Sequence, residues 1–339
     1  MGGLFAPLLG WFFKGIIYLT PFKHDLQLEV EGNKTMSKST ISTFQLFKLF
    51  PDQETARKYF EERRWSDGVY CPHCGEADNI TPRKNGYYRC NSCKQDFTVR
   101  TGTIFERSHV PLHKWIYAIY ILMTARKGVS SLQLGKEIGV TQKTAWFMLQ
   151  RIREACGNDS TMLAGIVEID ETYIGGKEKN KHESKRKHEG RGTVGKTPVV
   201  GMRERGGRTK AKPVKDVDGG TLKAVIEEHV APGSILHTDE GSAYTALDAR
   251  YIRAAINHSA GEYSRGGVTT NGMESVWAVL KRGVYGVYHH VSNKHIHRYA
   301  NEFTFRLNEG NVKNHTLERL GSVIDSAFGP RLTYAELTK

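Results

Sequence analysis

What this chain has little of narrows its class first. A membrane-spanning helix needs about 20 clean apolar residues, and the most apolar stretch, residues 4–22, is broken by Pro7 and Lys14. No basic segment precedes that stretch and no small-residue cleavage site follows it, so it does not read as a secretory signal. The start Met1-Gly-Gly-Leu-Phe-Ala6 also lacks the Ser or Thr that a myristoylation signal carries at that last place. Cysteine is scarce, five in 339 residues, and four of the five crowd between positions 71 and 93. That crowding argues against a disulfide framework and for a metal knot in a reducing compartment, with Cys156 left as a structural thiol. Acids are outnumbered, 36 Asp and Glu against 49 Lys and Arg, for a net charge of +13. Residues 1–35 contribute none of the excess, since Lys14, Lys23 and Lys34 cancel Asp25, Glu29 and Glu31. The folded chain is therefore expected to begin at Met36, with 1–35 an extension upstream of the native start. A basic surface of this size suits a polyanion, although charge alone does not separate nucleic acid from an anionic membrane or plain solubility.

After an amphipathic stretch from Phe44 to Phe60 comes the sharpest local signal. Cys71-Pro-His-Cys74 and Cys90-Asn-Ser-Cys93 are two CxxC knuckles separated by fifteen residues. Four thiolates so spaced can surround one tetrahedral Zn²⁺, and Tyr87, Tyr88, Phe97 and Val99 would supply the strands of a zinc ribbon. His73 could ligate only by displacing a cysteine. Such a ribbon binds DNA in some proteins and only staples a small domain in others.

An aromatic-rich helix from Pro111 to Ala125 leads into a helix-turn-helix pattern. Ser131 is expected to cap a short helix, Gly139 to break it, and Thr141 to cap a second with Ala145, Met148, Leu149 and Ile152 facing inward. Gln142, Lys143 and Arg151 on that second helix are candidates for phosphates or base edges. A plain helical hairpin would read the same way.

In Val167-Glu168-Ile169-Asp170 apolar and acidic residues alternate, so a strand buries Val167 and Ile169 and presents both acids on its other face before paired glycines at 175 and 176 break it. An edge strand with a solvated acidic face would also show this pattern. The zone from Lys177 to Lys196 carries eight Lys or Arg against three Glu and no apolar period. It reads as a basic loop in which Lys185, Arg186 and Lys187 could clamp a DNA backbone. Strand patterns follow at 197–202 and 211–217, a helix at 221–230, a strand ending at Asp239, a second helix, a strand at 251–256, and a helix from about Asn271. This is the element order of an α/β, ribonuclease-H-like fold, in which the first and fourth strands are neighbours. Acids at their ends, Asp170 and Asp239, then meet although 68 residues separate them. On the last helix Met273, Val276, Trp277 and Leu280 form a buried stripe, Glu274 flanks it, and Lys281 lies along the same side. Three carboxylates in one cleft raise each other's pKa unless cations lie between them, and two Mg²⁺ ions, or Mn²⁺, suit an all-oxygen site for phosphodiester chemistry. Asn271 and Glu274 would also serve as an N-cap and its N3 partner with no catalytic duty.

Taken together, the motifs Phe50-Pro-Asp, Trp65 to Cys74-Gly, Glu168-Ile-Asp170-Glu-Thr-Tyr-Ile-Gly-Gly176, His237-Thr-Asp239, Asn271-Gly-Met-Glu274-Ser-Val-Trp277-Ala-Val-Leu-Lys281, Tyr288-His-His-Val-Ser and Arg298 to Asn308 resemble bacterial insertion-sequence transposases of the IS1595 type. That group has an ISXO2-like integrase domain related to Merlin elements. The resemblance covers about residues 44–310. It implies a DDE transposase of a transposable element that binds terminal inverted repeats, cleaves DNA and joins 3′-hydroxyl ends to target DNA. Asp170, Asp239 and a third residue would be its metal ligands. The family uses either Glu or Asn in third place, so Glu274 and Asn271 both stand as candidates, with Lys281 as an auxiliary phosphate contact. The family also implies a homodimer or larger assembly on DNA, no membrane, and a place in the bacterial cytoplasm beside the nucleoid. The expected organisation is a ribbon segment over 36–105, a DNA-binding helical segment over 106–158, a catalytic domain over 160–310 and a tail over 311–339. Two other classes keep the same motifs: a DNA-binding regulator with a degenerate integrase domain, and a nuclease that hydrolyses without joining.

Overall fold

The structure, a computed structural model, describes residues 40–186, 192–247, 250–256, 266–310, 313–329 and 331–338. The extension over 1–35 and Lys187 lie outside the described residues.

The Phe44 to Phe60 stretch is two helices, α1 (Thr43–Leu49) and α2 (Gln53–Arg64). Pro51 cannot continue α1, and the Asp52 carboxylate caps α2 by accepting the Thr55 N–H at 2.8 Å. The ribbon's antiparallel strands follow, β1 (Ile80–Pro82), β2 (Tyr88–Cys90) and β3 (Asp96–Phe97), with β2 in the middle. Next come α3 (Leu112–Thr124), α4 (Ser131–Ile138) and α5 (Gln142–Ala155). Ser130 caps α4, one residue earlier than expected, while Gly139 ends it in the left-handed region at φ 64° and Thr141 caps α5. The four inward positions assigned to α5 are all buried. Cys71, Cys90 and Phe97 of the ribbon share one apolar core with Phe60, Trp115, Leu134 and Leu149.

The second body is a sheet in the order β6-β5-β4-β7-β8, built from β4 (Ile166–Ile174), β5 (Thr197–Glu204), β6 (Thr209–Pro213), β7 (Ile235–Asp239) and β8 (Ile252–Ile256). β4 runs antiparallel to β5 and parallel to β7, and β8 is parallel to β7. This mixed order is ribonuclease-H-like, and it places β4 at the centre rather than at an edge. β6 begins and ends earlier than the sequence pattern suggested. Between β7 and β8 the expected helix is a single 3₁₀ turn, Ser242–Ala246. Val167, Ile169, Val200 and Met202 face α6 (Gly219–His229) and pack on Leu222 and Ile226.

The opposite face of the sheet carries α7 (Asn271–Gly283), whose stripe of Met273, Val276, Trp277 and Leu280 is buried as its spacing required. A π-helical turn, Val284–Tyr288, extends α7, and α8 (Ile296–Glu309) packs against both β6 and α5. The segment after 311 is no tail. It contains α9 (Thr316–Ser326), whose Leu320, Val323 and Ile324 complete the core around α2 and α3, followed by α10 (Tyr334–Thr338).

Candidate active site

Parallel pairing of β4 with β7 ends at Glu168 opposite His237, and two residues further along each strand stands an aspartate, Asp170 and Asp239. Each aspartate therefore lies just past the last shared rung of the ladder. Asp170 accepts a hydrogen bond from the Trp277 indole N–H at 3.0 Å. Room for the indole comes from Gly201, paired with Asp170 on β5, where a Cβ would come within 2.4 Å of the ring. Asp239 Oδ1 accepts the Gly241 N–H at 2.9 Å. Burial, followed by the charges of Glu171 and Asp239, pushes the Asp170 carboxyl up to about 6. Glu171, next on β4, is likewise raised by burial and by Asp239, and it accepts the Tyr244 hydroxyl at 2.6 Å. Among the described residues no Lys or Arg ion-pairs with Asp170, Glu171 or Asp239. Arg253 comes near, donating to the Asp239 main-chain carbonyl at 2.9 Å, but an oxygen-only set of acids whose carboxylates make no ion pair among the described residues fits a hard divalent cation such as Mg²⁺.

Glu274 is exposed in the first turn of α7, and Lys281 lies two turns further along. Asp170, Asp239 and Glu274 do not close into one cluster of ligand atoms; among the described residues only the four cysteines do. The expected capping pair is absent. Thr270 is the N-cap residue and makes no side-chain cap bond, Asn271 is the first helical residue, and the Met273 N–H is shared between the Thr270 carbonyl at 2.9 Å and the Glu168 carboxylate at 3.2 Å. Glu168 is thus buried beneath α7 rather than facing a cleft. Its other oxygen accepts Arg205 Nη2 at 3.3 Å, and the same nitrogen reaches His237 Nδ1 at 3.2 Å. The Thr269 N–H also points at His237 Nδ1, so that atom acts as an acceptor, and burial lowers the histidine's pKa. Sequence reasoning missed Glu171, Tyr244, Arg205 and His237. Two of these had a signal, because Glu171 adjoins Asp170 and His237 precedes Asp239 by one strand period.

In the ribbon, Cys71 and Cys93 Sγ lie 3.6 Å apart and Cys74 and Cys90 Sγ 3.7 Å apart. A tetrahedral ion with Zn–S bonds of about 2.3 Å requires sulfur separations of about 3.8 Å, so the four thiols fit zinc closely. His73 is exposed and outside this group. Cys156 is buried, and burial drives its thiol pKa upward, which leaves it inert as expected.

Residues 162–308 match the family model described as the ISXO2-like transposase domain, and residues 51–96 match the transposase zinc-ribbon domain. A protein of Halobacterium salinarum, "Uncharacterized protein in transposable element ISH50", is 33% identical over 251 residues, covering 69% of this chain and 84% of the relative. The chain belongs to the IS1595-type, ISXO2-like transposase family. This transposase is also 29% identical over 102 residues to an "Uncharacterized transposase-like protein" of Haemophilus influenzae, 30% of this chain and 81% of that one. Among solved structures, a pre-cleavage Mos1 transpososome is matched at 12% identity and TM-score 0.24, over 64% of this chain and 80% of that one.

The basic residues assigned to DNA sort unevenly. Gln142 and Lys143 are exposed in the first turn of α5, Lys143 with its ammonium over the Tyr334 ring. Arg151 is a correction. It is buried, donates to the carbonyls of Ile104, Glu106 and Leu332, and stacks on Phe147, so it holds three segments together and cannot reach a phosphate. Desolvation lowers its pKa to about 10. Lys185 closes a 3₁₀ turn, Glu183–Lys185, and exposed Arg186 folds back onto the carbonyls of Lys179 and Lys181. No described helix of the transposase is long and apolar enough to cross a membrane.

Proposed function

We propose that this transposase cuts DNA at the terminal inverted repeats of its element and joins the resulting 3′-hydroxyl ends to target DNA. The observation that carries the reading is that Asp170 and Asp239 each stand two residues past the last rung shared by two parallel strands, with no ion pair to either carboxylate among the described residues. In this reading Asp170 and Asp239 hold the divalent ions, and Glu274 is the third ligand, with Asn271 as the alternative. Two Mg²⁺ ions would activate a hydroxyl or water and stabilise the leaving oxygen. The chain's own groups do the rest. Trp277 fixes one oxygen of Asp170, and Tyr244 holds Glu171. Lys281 takes a phosphate, and Gln142, Lys143, Lys185, Arg186 and Lys187 contact DNA. One structural zinc sits in the ribbon, and two element ends call for a homodimer or larger assembly on DNA. A protein of this kind works in the cytoplasm, beside the nucleoid.

The test is incubation of the full chain with labelled candidate end DNA and Mg²⁺. Nicked and joined products are expected, with Asp239→Asn binding DNA and producing neither. Glu274→Gln is expected to be inactive and Asn271→Ala active; the reverse pattern moves the third role to Asn271. DNA binding without any nicking would favour the regulator class, and hydrolysis without joining the nuclease class.

A further inference from the structure

Glu168 belongs to none of the roles above, yet it is buried and both of its carboxylate oxygens are engaged: Oε2 by the Met273 N–H and Oε1 by Arg205. With both oxygens occupied, it is not placed to be a metal ligand. We infer that Glu168 is a positioning residue that clamps the first turn of α7 to β4 and thereby sets where Glu274 stands relative to Asp170 and Asp239. This rests on the function proposed above.

The geometry of the two elements supports it. Residues two apart on one strand face are about 6.6 Å apart, and residues four apart along a helix rise about 6.0 Å. Glu168 and Asp170 are two apart on β4, and their partners Met273 and Trp277 are four apart on α7. Strand and helix therefore engage at two matched points, with Glu274 between them on the helix. Gly272 admits the carboxylate, because a Cβ there would lie 2.4 Å from Glu168 Oε2. Arg203 on β5 secures the same turn by donating to the Gly272 carbonyl at 2.8 Å. Arg205 carries the contact on to His237, two residues before Asp239 on β7. Glu168 thus touches, directly or through one arginine, every element that bears a proposed metal ligand.

The experiment compares the full-length native protein with Glu168→Gln, Glu168→Ala and Gly272→Ala. Hydrogen exchange without metal or DNA is read over the start of α7, where protection is expected to fall roughly 2- to 30-fold in Glu168→Ala, the range given by a lost helix cap. Exchange in the ribbon should be unchanged. Glu168→Gln, which keeps an acceptor for Met273 but not the charge for Arg205, is expected to fall between native and Ala. Mn²⁺ affinity measured by calorimetry on the folded proteins is expected to drop about tenfold in Glu168→Ala, a loss near 1.4 kcal/mol. Cleavage at saturating DNA should slow in the same order, with DNA affinity unchanged. Variants that unfold at lower temperature but bind Mn²⁺ and cleave as the native chain does would overturn the inference alone. A native protein that neither binds Mn²⁺ nor cleaves would overturn the proposed function, and this role with it.

Discussion

Asp170, proposed above as a metal ligand, sits in a desolvated cluster of acids, and Asp170→Asn should make the metal-free protein more stable at neutral pH, as relieving such a site often does. Burial first, then Glu171 and Asp239, lifts the Asp170 pKa from 3.8 to about 6. A carboxyl whose native pKa is raised keeps a proton over that window which the unfolded chain has already released, so stability falls as pH rises through it and is level above. Two pKa units at about 1.4 kcal/mol each give a penalty of up to about 3 kcal/mol, and the partial solvent access of the carboxylate brings it towards about 1.5 kcal/mol. Asparagine carries no charge to desolvate, and its amide oxygen can still accept the Trp277 N–H. Urea unfolding in EDTA at about pH 7.5 should therefore show Asp170→Asn ahead by about 1.5–3 kcal/mol. The gap should narrow as pH falls through 6 and close below 3.8, where the carboxyl is protonated in the folded and the unfolded chain alike. Saturating Mg²⁺ should narrow it from the other side, since ligand at about 100 times its Kd adds about 2.7 kcal/mol to the native chain and less to the variant. Equal stability at neutral pH, or a gap that ignores pH, would refute the reasoning.

Gly201→Ala should destabilise the fold by about 1–3 kcal/mol by overpacking, because the Met273 methyl can swing aside but the Trp277 ring is tied to Asp170; unfolding as stable as the native chain's would show that α7 shifts freely. Metal analysis of protein with reduced cysteines should return one zinc per chain, lost in Cys74→Ser, and a zinc-free native protein would dismiss the ribbon site. Glu302→Gln should cost about 3–5 kcal/mol, the usual penalty for stranding a buried partner charge. It pairs with fully buried Arg153 at 2.6 Å and also accepts the Tyr288 hydroxyl. A loss under about 1 kcal/mol in urea unfolding would show that Arg153 finds another acceptor.

Where periodicity or spacing carries the information, the sequence was legible. The two CxxC knuckles, the alternation at Val167 to Asp170 and the i, i+3, i+4, i+7 stripe from Met273 to Leu280 all stand where local pattern put them. Failures came where a partner distant in the chain decides. Arg151 sits on a helix exactly as a phosphate contact would, yet carbonyls 45 or more residues away claim it. Asn271 and Glu274 have the spacing of a capping box, but a carboxylate 105 residues upstream caps the helix first. Leu317, Leu320, Ile324 and Phe328 do mark a helical stripe after residue 311, but local pattern does not show that α9 fills a core begun near residue 41. Glu274's approach to the two aspartates was inferred from fold order, and the described side chains leave it exposed.

α8 contributes Ile296, Tyr299 and Phe303 to the core beneath α7, while Phe305 lies in the core shared with the ribbon and α9. Its Glu302 meanwhile binds Arg153 of α5. A helix that belongs to two cores at once cannot be divided between them. Recombination that exchanged the helices α4 and α5 of one such protein for those of another would carry off half of this joint and strand a buried charge on the other side. With the exposed start of α5 as the proposed DNA contact, new end specificities should therefore arise by substitution there, within an inherited whole, and not by shuffling of interchangeable parts.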